Sequence, residues 1–370
     1  MTNPTPNSTP LWTPPFCPNP NCLFHNPLTP GWTFRRCGFH ARLQPPHRVP
    51  RAQCRHCHRT FSSQTFETSY WLKRADLQPR IFLAAANGQA NRQAARTLGC
   101  APATVTHQLA RLGRHCLLLQ RHFTQHASPP GDIAIDGFLS FEHSQFYPFE
   151  HPLAVDCDTS FLLHFSDAPL RRSGTMTGRQ KRRRQELELA HGRPDPRAVE
   201  QAMREVVSEA LRGATRAVVR SDLHQAYPRA LKGLPCAITH RRVRSQEPRD
   251  RHNLLWEINA LDALLRHSSA NHRRETLAAS KRRQGSSERL AVFMVWRNFV
   301  KRRWERCRCR ETPAMLRGIT QRVWRVTDVL ARRLFVTQVA LSERWQQYYW
   351  RKVQTVAEPV NRQHALKYAF

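Results

Sequence analysis

The spacing of apolar residues changes several times along the chain, and each change predicts a different kind of element. From Asp132 to about Asn298, short β-like runs alternate with helical stretches. The runs are "DIAIDGFLSFEH", "HPLAVDCDTSFLLHFSD" and "TRAVVRSDL". That alternation predicts an α/β domain. Within it, Leu254, Ile258, Leu261 and Leu265 recur at the spacing of one helix face. Tyr70 to about His126 has helical periodicity, and so does the stretch after Thr312, "VWRVTDVLARRLFVTQVALSERWQQYYWRKV". The Trp and Tyr residues of that stretch are expected to pack rather than to stack on bases. Cys17 to about Phe66 has many prolines and no long apolar run, so it predicts a small module that needs a staple. The first fifteen residues are mostly Pro, Thr and Asn and predict disorder. No repeat recurs at a fixed period.

The fold class expected is multidomain α+β. Its parts are residues 1–15 disordered, 16–66 cysteine-stapled, 67–127 helical, 128–310 α/β and 311–370 helical. A basic insertion near 171–200 interrupts the α/β part; it includes Arg171, Arg172, Arg179, Lys181, Arg182, Arg183 and Arg184.

In "NRQAARTLGCAPATVTHQLARLG", Asn91 is a candidate helix cap, and Ala94, Ala95 and Leu98 form an inner face. Gly99 suits a left-handed helix stop and Pro102 the first turn of a second helix. Val105, Leu109 and Leu112 are that helix's apolar face. Two helices crossing closely at a glycine turn predict a helix-turn-helix. Its exposed side would offer Thr104, Thr106, His107, Gln108 and Arg111 to DNA bases or phosphates.

Charge sharpens the choice of partner. The 370 residues carry 59 Lys plus Arg against 27 Asp plus Glu, a formal net charge of +32. Such a chain attracts polyanions, and Arg182 and Arg183 of the insertion are candidate DNA-backbone contacts. No uncharged apolar run is long enough to span a bilayer, and the N-terminus lacks the basic start and apolar centre of a secretory signal. A reducing cytosol is therefore the expected compartment, on the nucleoid if the partner is DNA. There, the 11 cysteines point to metal binding rather than disulfides. Cys17-x4-Cys22 and Cys54-x2-Cys57 suit one tetrahedral zinc of structural type. Cys37, His25, His56 and His58 are alternative ligands, and Phe61 could pack beneath the site. Arg48, Arg51, Arg55 and Arg59 would form a basic rim.

Three acidic positions stand out in the α/β region. Asp136 interrupts an apolar strand, Asp222 ends the next, and Asp262 flanks the helical stripe, with Glu257 and Glu288 nearby in sequence. Three converging carboxylates can hold two magnesium ions for in-line phosphoryl displacement. Glu288 is the alternative third acid.

These residues together resemble bacterial insertion-sequence transposases of the DDE/DDD class, over roughly Cys17 to Ile319. "CRHCHRTFS" resembles their zinc ribbon. "AIDGFLSFEHSQFYP" resembles the segment of the first acid, Asp136, and "VRSDLHQAYPRAL" that of the second, Asp222. "INALDALLR" resembles the third, Asp262, where the family more often carries Glu; "VWRNF" and "TPAMLRGI" resemble segments that follow the core. The resemblance implies an RNase H-like catalytic domain and binding to terminal inverted repeats. It also implies magnesium-dependent cleavage and strand transfer, and assembly as a homo-oligomer on double-stranded transposon ends and target. The alternatives are a DNA-binding regulator with an inactive third domain, or a nuclease without strand transfer.

Overall fold

The structure is a computed structural model that describes residues 12–43, 45–244, 246–273, 276–305 and 310–358. The expected disordered N-terminus lies, as far as residue 11, outside the described residues. The chain divides into two compact units, one of residues 1–76 with Val329–Ala340, the other of Leu77–Asp328 with the segment from Leu341. No described helix is long and apolar enough to cross a membrane.

The first unit is a three-stranded antiparallel sheet of β1 (Phe34–Ala41), β2 (Arg48–Cys54) and β3 (Thr60–Ser62). It has almost no aliphatic core. Phe61, Ala52 and the cysteines are buried together, with Trp12, Trp32, Phe34 and Phe66 packed around them. Trp12 lies edge-on to Phe61, so the ordered module begins inside the stretch expected to be disordered. Residues 329–340 complete this unit. Phe335 joins Phe16, His25 and Phe66, and the Arg333 N–H donates to Phe66 O at 2.9 Å.

The second unit opens with α1 (Leu77–Ala86), α2 (Asn91–Leu98) and α3 (Pro102–Thr124). Gly99 ends α2 in the left-handed conformation, and Pro102 stands in the first turn of α3. Ala90, not Asn91, is the cap of α2; the Asn91 amide instead donates to Thr106 Oγ1 at 3.0 Å. Helix α3 runs on for 23 residues, and its second half is core.

A mixed sheet follows. Its strands are β4 (Asp132–Phe141), β5 (Pro148–Asp156), β6 (Leu162–Phe165) and β7 (Ala168–Pro169); then, after α4 (Gly178–His191) and α5 (Ala198–Ala210), come β8 (Arg216–Ser221), α6 (Ala226–Leu231) and β9 (Ala237–Arg242). The order is β6-β5-β4-β8-β9, with β7 on β5. β4, β5 and β6 pair antiparallel, while β8 joins β4 in parallel and β9 joins β8 in parallel. The crossover helix α5 and α6 bury Met203, Val206, Val207 and Tyr227 against Ile133, Ile135, Ala154 and Val219 of one sheet face. α7 (Trp256–Ser268) contacts β4 and β5. α8 (Arg283–Val295) is buried all round, as a helix enclosed by other elements must be. It crosses α3 at Gly113, where an added Cβ would stand 2.7 Å from the Glu288 carbonyl oxygen.

The chain after Thr312 is less helical than expected. Among the described residues it holds the short helices α9 (Pro313–Leu316), α10 (Val326–Val329) and α11 (Glu343–Tyr349), joined by largely irregular segments. The stretch is rich in β-branched and aromatic residues, weak helix formers that distant contacts override. Trp345 stacks on His164 at 4.2 Å, its indole N–H donates to Phe165 O at 2.8 Å, and Tyr348 stacks on Phe165. The tail aromatics therefore pack. The "VWRNF" and "TPAMLRGI" segments also serve the fold. The Asn298 amide both accepts from Leu162 N–H and donates to Leu162 O, each at 2.9 Å, and Arg317 ion-pairs with Asp156.

One buried charge in this unit yields a stability prediction. Asp167 has a fully buried side chain that receives Arg344 at 2.6 Å and Arg283 at 3.1 Å, with the Tyr348 hydroxyl also donating to it. Burial works against the charged form, but the two guanidinium groups outweigh it and hold the carboxyl at about 2, below its ordinary 3.8. A depressed carboxyl stabilises the fold above its unfolded-state value and loses that contribution as pH falls through the folded one. Asp167→Asn is expected to cost about 3–5 kcal/mol at neutral pH, because it strands two buried cations. Urea unfolding should show the gap to wild type narrowing between pH 4 and 2; a pH-independent gap would rule out this linkage.

Candidate active site and metal centre

Two groups of side chains stand apart from ordinary packing, one in each unit. In the first unit Cys54 ends β2 and Cys57 sits in the tight turn after it, which His58 closes with a φ of 58°. Cys17 and Cys22 come from the loop before β1. The Sγ atoms of Cys17 and Cys57 are 3.6 Å apart and those of Cys22 and Cys54 are 3.9 Å apart, and all four lie within 4.8 Å of one another. A tetrahedron with Zn–S bonds of about 2.3 Å has edges of about 3.8 Å. Among the described residues this is the only set of three or more such ligands so gathered.

Burial pushes the Cys17 and Cys22 thiols up, whereas at Cys54 the environment favours the thiolate. Burial pushes the Cys54 thiol up, but the backbone N–H groups of Cys57 and His56 and the Trp32 indole N–H, 3.3 Å from Sγ, more than offset it, and it falls to about 7. The cluster can bind a structural zinc. The alternative ligands stand outside that set of four. His25 bonds Cys17 O and Thr337, His56 lies 3.5 Å from Cys22 Sγ, and Cys37 is on β1 away from the cluster. Phe61 packs under the cysteines as expected, and Arg48, Arg51, Arg55 and Arg59 are all exposed.

In the second unit the topology gathers carboxylates. The β4–β8 register pairs Ala134 with Arg220; carried two residues further, it brings Asp136 level with Asp222, just past the end of β8. The Asp222 carboxylate accepts from the His224 N–H at 2.9 Å, which fixes it at the mouth of the strand. Asp262 comes from α7, the helix lying against β4. Burial raises the Asp136 carboxyl to about 6, and the Asp222 charge adds to this. Burial raises Asp262 to about 8, and Asp136 adds to it, while Arg266 and Arg249 pull the other way. The Asp222 charge is thus felt at Asp136, and the Asp136 charge at Asp262.

The structure adds a fourth acid that the sequence pattern did not single out. Glu150 lies on β5 opposite Leu139, and burial together with Asp136 and Asp222 raises it to about 7. Its signal in the sequence was the strand "PFEHPLAVD", which starts three residues before the His151 expected as its beginning. Burial raises the Tyr227 hydroxyl on α6, and the charges of Asp136, Glu150 and Asp222 add to this. The donors are all hard oxygens, and the buried Glu150 Oε1 and Asp262 Oδ1 have no hydrogen-bond partner among the described residues. A hard divalent cation such as magnesium fits that set. The four acids are spread more widely than the thiols, since no three of them lie within 4.8 Å of one another.

Other candidates lie elsewhere. Glu288 is not in the group: it is buried on α8, pairs with Arg351 at 2.9 Å and accepts from Gln284 at 3.0 Å. Glu257 is engaged by Arg303 at 3.0 Å. On α3, Thr106 and His107 are exposed, Thr104 and Arg111 are half-buried, and Gln108 is only 3 % exposed. Gln108 is one turn from Val105 and Leu112 on the packed side, so it does not present to a groove, a correction to the exposed face expected of that helix. The Thr106 hydroxyl bonds Pro102 O at 3.0 Å. In α4, which has no buried residue, Arg182 and Arg183 are both exposed, and Arg183 pairs with Glu186.

No protein-family model matches the chain, and no curated protein does. Among solved structures, one similar chain belongs to a simian T-cell lymphotropic virus intasome in complex with the PP2A regulatory subunit B56 gamma. It is 16 % identical, over 61 % of this chain and 70 % of that one, with a TM-score of 0.24. A likeness that slight carries no argument about this protein.

Proposed function

We propose that this protein is a DNA transposase whose second unit cleaves and joins phosphodiesters at Asp136, Asp222 and Asp262. The observation that supports it is the β4–β8 register, which sets Asp136, midway along β4, level with Asp222, just past the end of β8, with Asp262 on the helix against β4. A sheet of three antiparallel strands extended by two parallel ones is what the RNase H-like expectation requires. Asp222 stands at a strand end, where open α/β sheets carry their chemistry.

Asp136, Asp222 and Asp262 would hold magnesium, which supplies activation of an attacking hydroxyl and neutralisation of charge on the departing oxygen. The chain's own part is to orient and to exclude. The His224 N–H orients Asp222, and the Gly137 N–H orients Asp136. Arg249, whose charge is felt at both Asp136 and Asp262, stands where it can meet the phosphate. The +32 charge draws in the DNA. Thr104, Thr106, His107 and Arg111 would dock a helix-turn-helix on the terminal repeats, with Arg182 and Arg183 on the backbone and the cysteine cluster as a zinc ribbon. The assembly would be a homo-oligomer on paired DNA ends.

The test uses DNA flanking the coding gene, incubated with zinc-loaded protein and magnesium. Nicking or joining at defined ends is expected, and none with calcium alone. Tight, specific binding without cleavage would instead favour a regulator; cleavage without joining would favour a nuclease.

A further inference from the structure

We propose that Glu150 is a fourth carboxylate ligand of the acidic site, reached from the strand beside Asp136. This rests on the transposase reading, and it adds a ligand that the three-acid pattern does not contain.

The case begins with where Glu150 sits. It is the third residue of β5, in a run whose other side chains are nearly all buried, and it is itself only 8 % exposed. Its Oε1 is buried and has no hydrogen-bond partner among the described residues. An isolated carboxylate in that position is costly unless something positive meets it. No Lys, Arg or His among the described residues forms an ion pair with it. That is unusual in a chain with 59 Lys plus Arg for 27 acids. Asp167, equally buried in the same unit, shows the contrast, since two arginines hold it. The charges that reach Glu150 are those of Asp136 and Asp222, both negative. No positive charge reaches Glu150, and a divalent cation shared with Asp136 and Asp222 would supply it.

Gly137 supports the same inference. It follows Asp136 on β4, and a Cβ there would stand 2.6 Å from Glu150 Oε2 and 2.9 Å from Oε1. The glycine gives up its side-chain volume to the Glu150 carboxyl group, one residue from the first acid. The Gly137 N–H meanwhile donates to Asp136 Oδ1 at 2.7 Å. One peptide thus orients one acid and makes room for another.

The experiment measures binding of manganese(II) to the full, zinc-loaded chain by electron paramagnetic resonance of the free ion. Zinc content and far-UV circular dichroism serve as fold controls. Glu150→Gln keeps the shape and removes the charge; it should weaken manganese binding by at least about 10–100-fold, the loss that even an outer-shell partner of a metal site causes. Gly137→Ala removes no carboxylate but displaces that of Glu150, and should weaken binding in the same direction. Manganese affinity equal to wild type in both folded variants, while Asp222→Asn loses it, would overturn the role of Glu150 and leave the active-site reading intact. A wild-type chain that binds no manganese at the acidic site would overturn both.

Discussion

Asp222→Asn and Asp136→Asn are each expected to lower magnesium-dependent cleavage of end DNA by about 10³-fold or more, while DNA affinity and the fold remain. The factor corresponds to about 4 kcal/mol of transition-state stabilisation. The substitutions are nearly isosteric, so the loss reports charge rather than shape. At position 222 an amide oxygen can still accept the His224 N–H, so the loop after β8 keeps its geometry. At position 136 the change removes a carboxylate that burial and Asp222 already disfavour, so stability should hold or rise. Glu288→Gln is the matched control. Its carboxylate is taken up by Arg351 and Gln284, so the change should lower the melting temperature without a specific loss of cleavage. Nicking assays, gel shifts at fixed salt and urea unfolding separate these effects. Full cleavage by both Asp variants would remove the acids from the chemistry; loss of binding together with cleavage would give them a role in the fold instead.

Local signals explain what the sequence made legible. The cysteine pairs, the glycine and proline around the α2–α3 turn, and the apolar runs of β4 and β8 each announce themselves within a dozen residues. The features that escape are non-local. Gln108 lies at a position that is polar in the sequence, but α3 is enclosed by other helices over most of its length, so its side chain is buried. Glu288 resembles an acid on a buried helix near the site, yet only the crossing of α3 and α8 reveals that it faces Arg351. Glu150 needs the hairpin register before it can be placed beside Gly137. The C-terminal stretch has helical periodicity over 30 residues and still forms only short turns of helix. Its apolar side chains are each taken by a different partner: Phe335 by Phe16 and Phe66, Trp345 by His164, Tyr348 by Phe165.

Cys54→Ser is expected to abolish zinc binding and unfold the first unit, while the mixed sheet of the second keeps its secondary structure. The first unit's core is small and aromatic, and three short strands cannot offset the entropy of ordering some sixty residues without a cross-link. In modules of this kind the apparent zinc binding energy, about 10–16 kcal/mol at neutral pH, is the folding energy. Cys54 is the most telling of the four ligands because the protein prepares it. It ends β2, it is fully buried, and the Trp32 indole N–H points at its sulfur. A serine there is a harder, shorter ligand that leaves the other three thiols without their tetrahedron. Cys116, fully buried on α3 and outside the cluster, is the control. Cys116→Ser should cost about 1–3 kcal/mol for an ill-matched hydroxyl and leave zinc content unchanged. Elemental analysis counts the metal, and limited proteolysis reports the unfolding as new cleavage between residues 12 and 76. Unchanged zinc in the Cys54 variant would mean that the ion sits elsewhere, and the four sulfurs would then be buried thiols. Zinc loss without new cleavage would mean that the aromatic cluster of Trp12, Trp32, Phe61 and Phe66 holds the module by itself, contrary to what its size predicts.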